Sequence, residues 1–125
     1  MSELTTRDAL RLHGLHWLAR AALRIRPPLQ AKALVDRIAR VFPPLHGVAD
    51  ARAAVEELFP SGSCLSRAVT IAANLPGAEV VIGVDAWSAA TVSAHAWLQI
   101  DDVNVDTRPE TSTPLPDELA RLPPR

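Results

Sequence analysis

A single cysteine is too few for an internal disulfide and too few for a multi-cysteine metal site. Tyrosine is absent and aromatics make up only 4%, so the core must be built from aliphatic side chains. Five glycines against eleven prolines predict rigid, extended connections between elements. No long hydrophobic run is present. The longest apolar-looking stretch, residues 9–25, contains Arg11, His13, His16, Arg20 and Arg24, which would be costly in a bilayer, so no membrane span is expected. The N-terminus lacks the uninterrupted apolar region of a secretory signal, and a cytoplasmic protein is the simplest expectation. No aromatics interleave the basic residues and no DNA-binding motif occurs, which ranks a nucleic-acid partner low.

What is there suits one domain spanning residues 1–125, with 48% hydrophobic residues to bury. The net charge is −1, but it is unevenly spread. Residues 1–42 carry eight basic and three acidic side chains, and the rest carry five basic and eleven acidic. Such asymmetry can steer a charged partner.

Residues 5–26 read as an amphipathic helix, with Leu4, Leu15, Leu18, Ala22 and Ile25 as its stripe, Thr5 or Thr6 as cap, and Pro27-Pro28 as its end. A second helix over 29–41 would bury Leu34, Ile38 and Val41. A third over 50–58 would start at Asp50 and point Val55, Leu58 and Phe59 inward. After the turn Pro60-Ser61-Gly62-Ser63, a helix begins at or beside Cys64 and runs to about Asn74, with Leu65, Ala68, Val69 and Ala72 as its stripe. Ala78 to Val84 is a β-branched run fit for a buried strand. Trp87 to Thr91 looks like a loop. From Val92 to Ile100, apolar and polar residues alternate at strand period. Asp101-Asp102 predicts a tight turn, and Val103 to Asp106 a return strand. A short helix is expected at Asp117 to Leu122. The chain thus divides into a helical part (1–58), a catalytic core (59–108) and a proline-rich C-terminal segment (109–125), in the α+β class.

Thiol hydrolysis needs an ionised thiol, a base to take and return its proton, and a group that holds the base. Cys64 would sit at a helix N-terminus, where the dipole favours thiolate. The amides around Ser63 and Cys64 could cradle an oxyanion. His95 lies mid-strand, which suits a general base. On the return strand Asp102, Asn104 and Asp106 share one face. The hairpin brings residues 104–108 back past 93–97, so Asp106 is the preferred orienting acid and Asn104 the second. Each residue also has a plain structural reading: a lone cysteine is often a small buried hydrophobe, and a lone histidine on a strand is often structural. The conjunction outweighs these readings, because Cys at a helix start, then His mid-strand, then Asp on the next strand is the papain-like order. His13, His16 and His46 lie in the helical half with no acidic cluster nearby, and no cofactor or metal is expected.

The segments Ser61-Gly62-Ser63-Cys64-Leu65-Ser66-Arg67-Ala68, Val81-Ile82-Gly83-Val84 and Ala94-His95-Ala96-Trp97 resemble the transglutaminase-like leader peptidases of lasso peptide biosynthesis. That family shows a Cys-Leu-x-x-Ala helix start, an apolar strand ending in Gly-Val, and an Ala-His-Ala-Trp strand. The resemblance covers about residues 58–108 and implies a papain/transglutaminase-like fold. It also implies Cys64 as nucleophile, His95 as base and Asp106 as orienting acid. The family's acid-Gly turn is Asp101-Asp102 here. The implied activity is removal of the leader from a ribosomally made precursor. The short, helical N-terminal half implies the split form, which relies on a separate leader-binding B1 protein, with an ATP-using lasso cyclase as a further partner. Two other readings stand beside it: a transglutaminase-like amidase with another substrate, and a non-catalytic binding module of the same fold.

Overall fold

The computed structural model describes residues 4–88, 91–108 and 118–125, without the side chains of 85–88 and 91–93. Four helices precede a four-stranded antiparallel sheet: α1 (Thr6–Ile25), α2 (Pro28–Ala39), α3 (Gly47–Leu58), α4 (Cys64–Asn74), β1 (Glu79–Ser88), β2 (Thr91–Ile100), β3 (Val103–Asp106) and β4 (Glu118–Leu122). The expected α+β architecture is the observed one.

α4 lies at the centre. Every residue from Ser66 to Asn74 is buried, because α1, α2 and α3 pack around it and the sheet closes the remaining side. Its apolar surface extends all round rather than along one stripe, as a core helix requires. The polar side chains trapped there bond back to their own helix: Thr70 Oγ1 donates to Ser66 C=O at 2.8 Å and Asn74 Nδ2 to Thr70 C=O at 2.8 Å.

The surrounding helices present small residues inward, and this corrects two expected stripes. α2 buries Ala31, Val35 and Ala39, whereas Ile38 and Val41 face solvent. α1 buries Leu12, Leu15, Ala19 and Ala22, and Ile25 is 78% exposed. Alanine lets helix axes approach closely, so α2 is rotated from the face its larger side chains suggested. The rotation also buries Lys32, whose ammonium donates to Asp36 Oδ2 at 2.8 Å one turn on. α3 begins at Gly47, three residues earlier than expected. Asp50 is not its cap; its carboxylate accepts the His46 N–H at 2.8 Å from inside the first turn. Phe59 turns outward, and its ring covers the Arg67 guanidinium at 5.0 Å.

The sheet order is β3-β2-β1-β4, antiparallel throughout. Val80, Ile82, Ala96, Leu98, Ile100, Val105 and Leu122 join the helical core. The β2–β3 hairpin turns at Asp101 and Asp102, with φ of 51° and 64°. Both central residues are left-handed, as in the turn that matches strand twist, and aspartate tolerates that region.

The last element is not the expected helix. Glu118–Leu122 pairs with β1, Leu122 opposite Val80 and Arg121 opposite Val81. Six residues between prolines give a helix too few hydrogen bonds to offset nucleation, whereas the open edge of β1 supplies a ready ladder. The loop expected at Trp87 to Thr91 is shorter than that. β1 runs to Ser88 and β2 starts at Thr91, with an irregular register between Asp85 and Ser88. Residues 89–90 and the proline-rich stretch 109–117 lie outside the described residues.

Candidate active site

The site forms where the ladder between β2 and β3 ends. In an antiparallel strand the N–H and C=O of one residue point the same way. The last β2–β3 pair is Trp97 with Asp106, so Ala96 lies one step beyond the ladder. Its C=O accepts the Thr107 hydroxyl at 3.0 Å, and its N–H donates to Cys64 Sγ at 3.4 Å. The thiol thus fills a place that a longer β3 would have occupied. His95 precedes Ala96 and meets Asp106 diagonally across the hairpin, Nε2 to Oδ1 at 3.2 Å. With Nε2 turned to the carboxylate, Nδ1 is the nitrogen left for the sulfur. Asn104 pairs with Gln99 and Asp102 sits in the turn, both away from His95. Of the three carboxylate or amide candidates on this hairpin, Asp106 is the one beside the imidazole.

Trp97 shares His95's face of the sheet, its ring centroid 6.0 Å from the imidazole and inclined at 28°. His95 is buried and Cys64 is half-buried. Burial pushes the Cys64 thiol up, but the hydrogen bonds from His95 and from the Ala96 N–H, with the charges of His95 and Arg67, more than offset this. The thiol is held below its ordinary range. Arg108 caps the other end of the pair: its backbone N–H donates to Asp106 Oδ1 at 2.8 Å, and its guanidinium lies 3.4 Å from His95 Nε2.

The turn before Cys64 is secured by residues that periodicity did not single out. Ser63 caps α4 and Ser66 answers it: Ser66 N–H donates to Ser63 Oγ at 3.0 Å, and Ser63 N–H to Ser66 Oγ at 2.9 Å. This is a capping box with serine at both ends, and the Ser-x-x-Ser spacing was its available signal. It corrects one expectation, because the Ser63 amide is engaged inward and does not face an oxyanion. Among the described residues the Cys64 and Leu65 amides have no partner within the chain, which leaves those two at the helix start. Ser66 Oγ also lies 2.8 Å from Nε2 of the buried His16. The hydroxyl donates to Ser63 C=O at 3.0 Å, so it accepts from the imidazole. Burial, then Arg20, Arg67 and His13, lower His16 to about 4, and the ring is neutral at pH 7. A Cβ on Gly62 would stand 2.4 Å from Ser66 Oγ and 2.7 Å from His16 Nε2, at a φ of 68°, so only glycine fits there.

Arg67 ties the two halves of the site together. Its Nε donates to Thr107 C=O at 3.0 Å, and its Nη1 to the carbonyls of Ser61 at 2.8 Å and Gly62 at 3.4 Å. One buried side chain therefore sets the cysteine turn against the end of β3. Its place in the sequence, the second open position of the Cys-Leu-x-x-Ala match, gave no hint of this. Among the described residues no cluster of His, Cys, Asp and Glu is suited to a metal ion.

A central helix with cysteine at its N-terminus, packed on an antiparallel sheet that carries histidine and aspartate on successive strands, is a transglutaminase-like fold. A model of the transglutaminase-like superfamily matches residues 4–115, and the chain belongs to that superfamily, whose members are in general cysteine hydrolases. No curated protein and no solved structure matches the chain.

Proposed function

We propose that the chain is a cysteine peptidase that removes the leader from a ribosomally made lasso peptide precursor. The observation that carries the hydrolytic part is the alignment of Cys64, His95 and Asp106 at the end of the β2–β3 ladder. In this reading the Cys64 thiolate attacks the scissile carbonyl and the Cys64 and Leu65 amides receive the oxyanion. His95, oriented by Asp106, gives its proton to the leaving amine. Water, deprotonated by the same imidazole, then releases the acyl group. The leader-peptide specificity rests on the resemblance of the Cys-Leu-x-x-Ala and Ala-His-Ala-Trp segments to lasso leader peptidases. A separate leader-binding protein would hold the precursor and raise its effective concentration at the thiol, and the lasso cyclase would take the exposed core.

The test is incubation with a lasso precursor, with and without a leader-binding partner, read by mass spectrometry. Cleavage at the leader–core junction is expected, faster with the partner, and lost by several orders of magnitude in Cys64→Ala. Cleavage by the alanine variant at the wild-type rate would remove the nucleophile. Reaction of Cys64 with a thiol probe but none with any precursor would leave the hydrolase and remove the substrate.

A further inference from the structure

Two hollows meet on the exposed face of α1 beside the cysteine turn. One, of about 420 Å³, is lined by Arg20, Leu23, Arg24, Gly62, Ser63 and Ser66. The other, of about 180 Å³, shares Arg20 and Arg24 and is walled by Trp17, which is 72% exposed. The larger lies within the usual size of a ligand cleft, roughly 300–1,000 Å³. Its far wall is Gly62-Ser63, the two residues that immediately precede the nucleophile candidate in the chain. Among the described residues no acidic side chain lines either hollow. Arg20 and Arg24 have no ion-pair partner among the described residues, whereas Arg11 and Arg121 do. Two arginines four apart on one helix repel each other, a small cost that an anionic ligand would reverse.

From this we infer that the Trp17–Arg20–Arg24 face is a substrate-binding groove that selects carboxylate side chains in the peptide segment flanking the scissile bond. The inference rests on the proposed peptidase reading for the position of that bond. The occupant is the substrate chain itself, lying extended, with its acidic residues on the two guanidinium groups and the peptide continuing over Ser63 to Cys64. The turn is rigid, held by His16, Ser66 and Arg67, so the groove's inner wall is already formed and the arginines supply the selectivity.

The experiment uses short glutamate-rich and lysine-rich peptides in two forms. Carrying an iodoacetyl group at one end or the other, they are compared with free iodoacetamide for the rate of Cys64 alkylation. Carrying fluorescein instead, they are titrated against Cys64→Ala by anisotropy. The glutamate carrier should alkylate about tenfold faster than the lysine carrier from at least one end and bind the alanine variant more tightly, with an advantage that shrinks as salt rises. Arg20→Glu with Arg24→Glu should reverse that order when each carrier's rate is taken relative to free iodoacetamide on the same variant. The milder Arg20→Gln with Arg24→Gln should abolish the preference, and circular dichroism checks both folds. Equal rates and equal binding for the two carriers would overturn the inference. So would a preference that survives both double variants, or a single-stranded oligonucleotide that outcompetes the glutamate peptide. If Cys64 reacts with no electrophile, the peptidase reading fails, and the anisotropy titration alone decides whether the groove is acid-selective.

Discussion

At the residue scale, the chemistry of Cys64 is a contest between burial, which disfavours the thiolate, and the donors gathered around it. The donors prevail, and this sets a direction for reactivity. Alkylation of the native chain by iodoacetamide should have its pH midpoint below that of an ordinary cysteine thiol. In His95→Ala the hydrogen bond and charge of the imidazole are gone while most of the burial remains, so the midpoint should move upward. Stopped-flow alkylation across pH, with Cys64→Ala as blank, measures both; a midpoint that stays put in His95→Ala would mean the imidazole does not govern the thiol. Gly62 makes a second residue-scale case. Gly62→Ala forces a left-handed φ on a residue with a Cβ and drives it into Ser66 and His16. A cost of about 1–3 kcal/mol is expected in urea unfolding, with slower Cys64 alkylation as the turn shifts. Stability and alkylation equal to wild type would show that the turn can relax without harm.

At the scale of elements, α1 and α4 are joined by a histidine that must stay neutral. His16 has an ordinary value of 6.5 and a folded value of about 4, so between these the unfolded chain binds more protons. Stability contributed by the neutral ring is complete above about pH 6.5 and is lost as the pH falls toward 4. Arg20, Arg67 and His13 all oppose its protonation. Glutamine in its place can still donate to Ser66 Oγ but cannot charge. His16→Gln should therefore lose less of its urea midpoint than wild type between pH 6.5 and 4. Parallel midpoint curves for the two proteins would assign the acid sensitivity to other groups. The same helix pair shows why the apolar stripes were only partly legible. In α2 two faces compete, one with Leu34 and Ile38 and one with Ala31, Val35 and Ala39. Periodicity weighs them by side-chain size, whereas helix packing selects the face that lets the axes approach.

At the scale of the whole molecule, the C-terminal strand closes the sheet. β4 covers the edge of β1 opposite the hairpin that carries His95 and Asp106, Leu122 enters the core, and Arg125 Nη1 donates to Ala73 C=O at 2.6 Å. Removing residues 118–125 should lower stability and, by baring a long apolar edge, promote association. Analytical ultracentrifugation and urea unfolding of the truncated chain read both effects. A monomeric truncation as stable as the full chain would make β4 dispensable. Among the described residues no helix is long and apolar enough to cross a membrane, as the interrupted stretch at 9–25 foretold.

The sequence by itself determined the features that depend on neighbours along the chain. One proline pair, Pro27-Pro28, ended α1 and opened α2, alternation drew β2, and the Asp-Asp turn returned β3 beside it. Because a hairpin's register follows from its turn, even the approach of Asp106 to His95 was readable before any coordinates. Tertiary structure alone decided what depends on residues far apart. The inward face of α2 depends on α1 and α4, and the pairing of β4 with β1 and the clamping of the cysteine turn by His16 and Arg67 join positions roughly 35 to 50 residues distant. No local pattern encodes such contacts, since their energy exists only once the partner surface is in place. The oxyanion donors moved for a reason that lies on both sides of this division: the Ser63 amide is engaged by Ser66 three residues on, a local capping box, and His16 from another helix bonds the same hydroxyl.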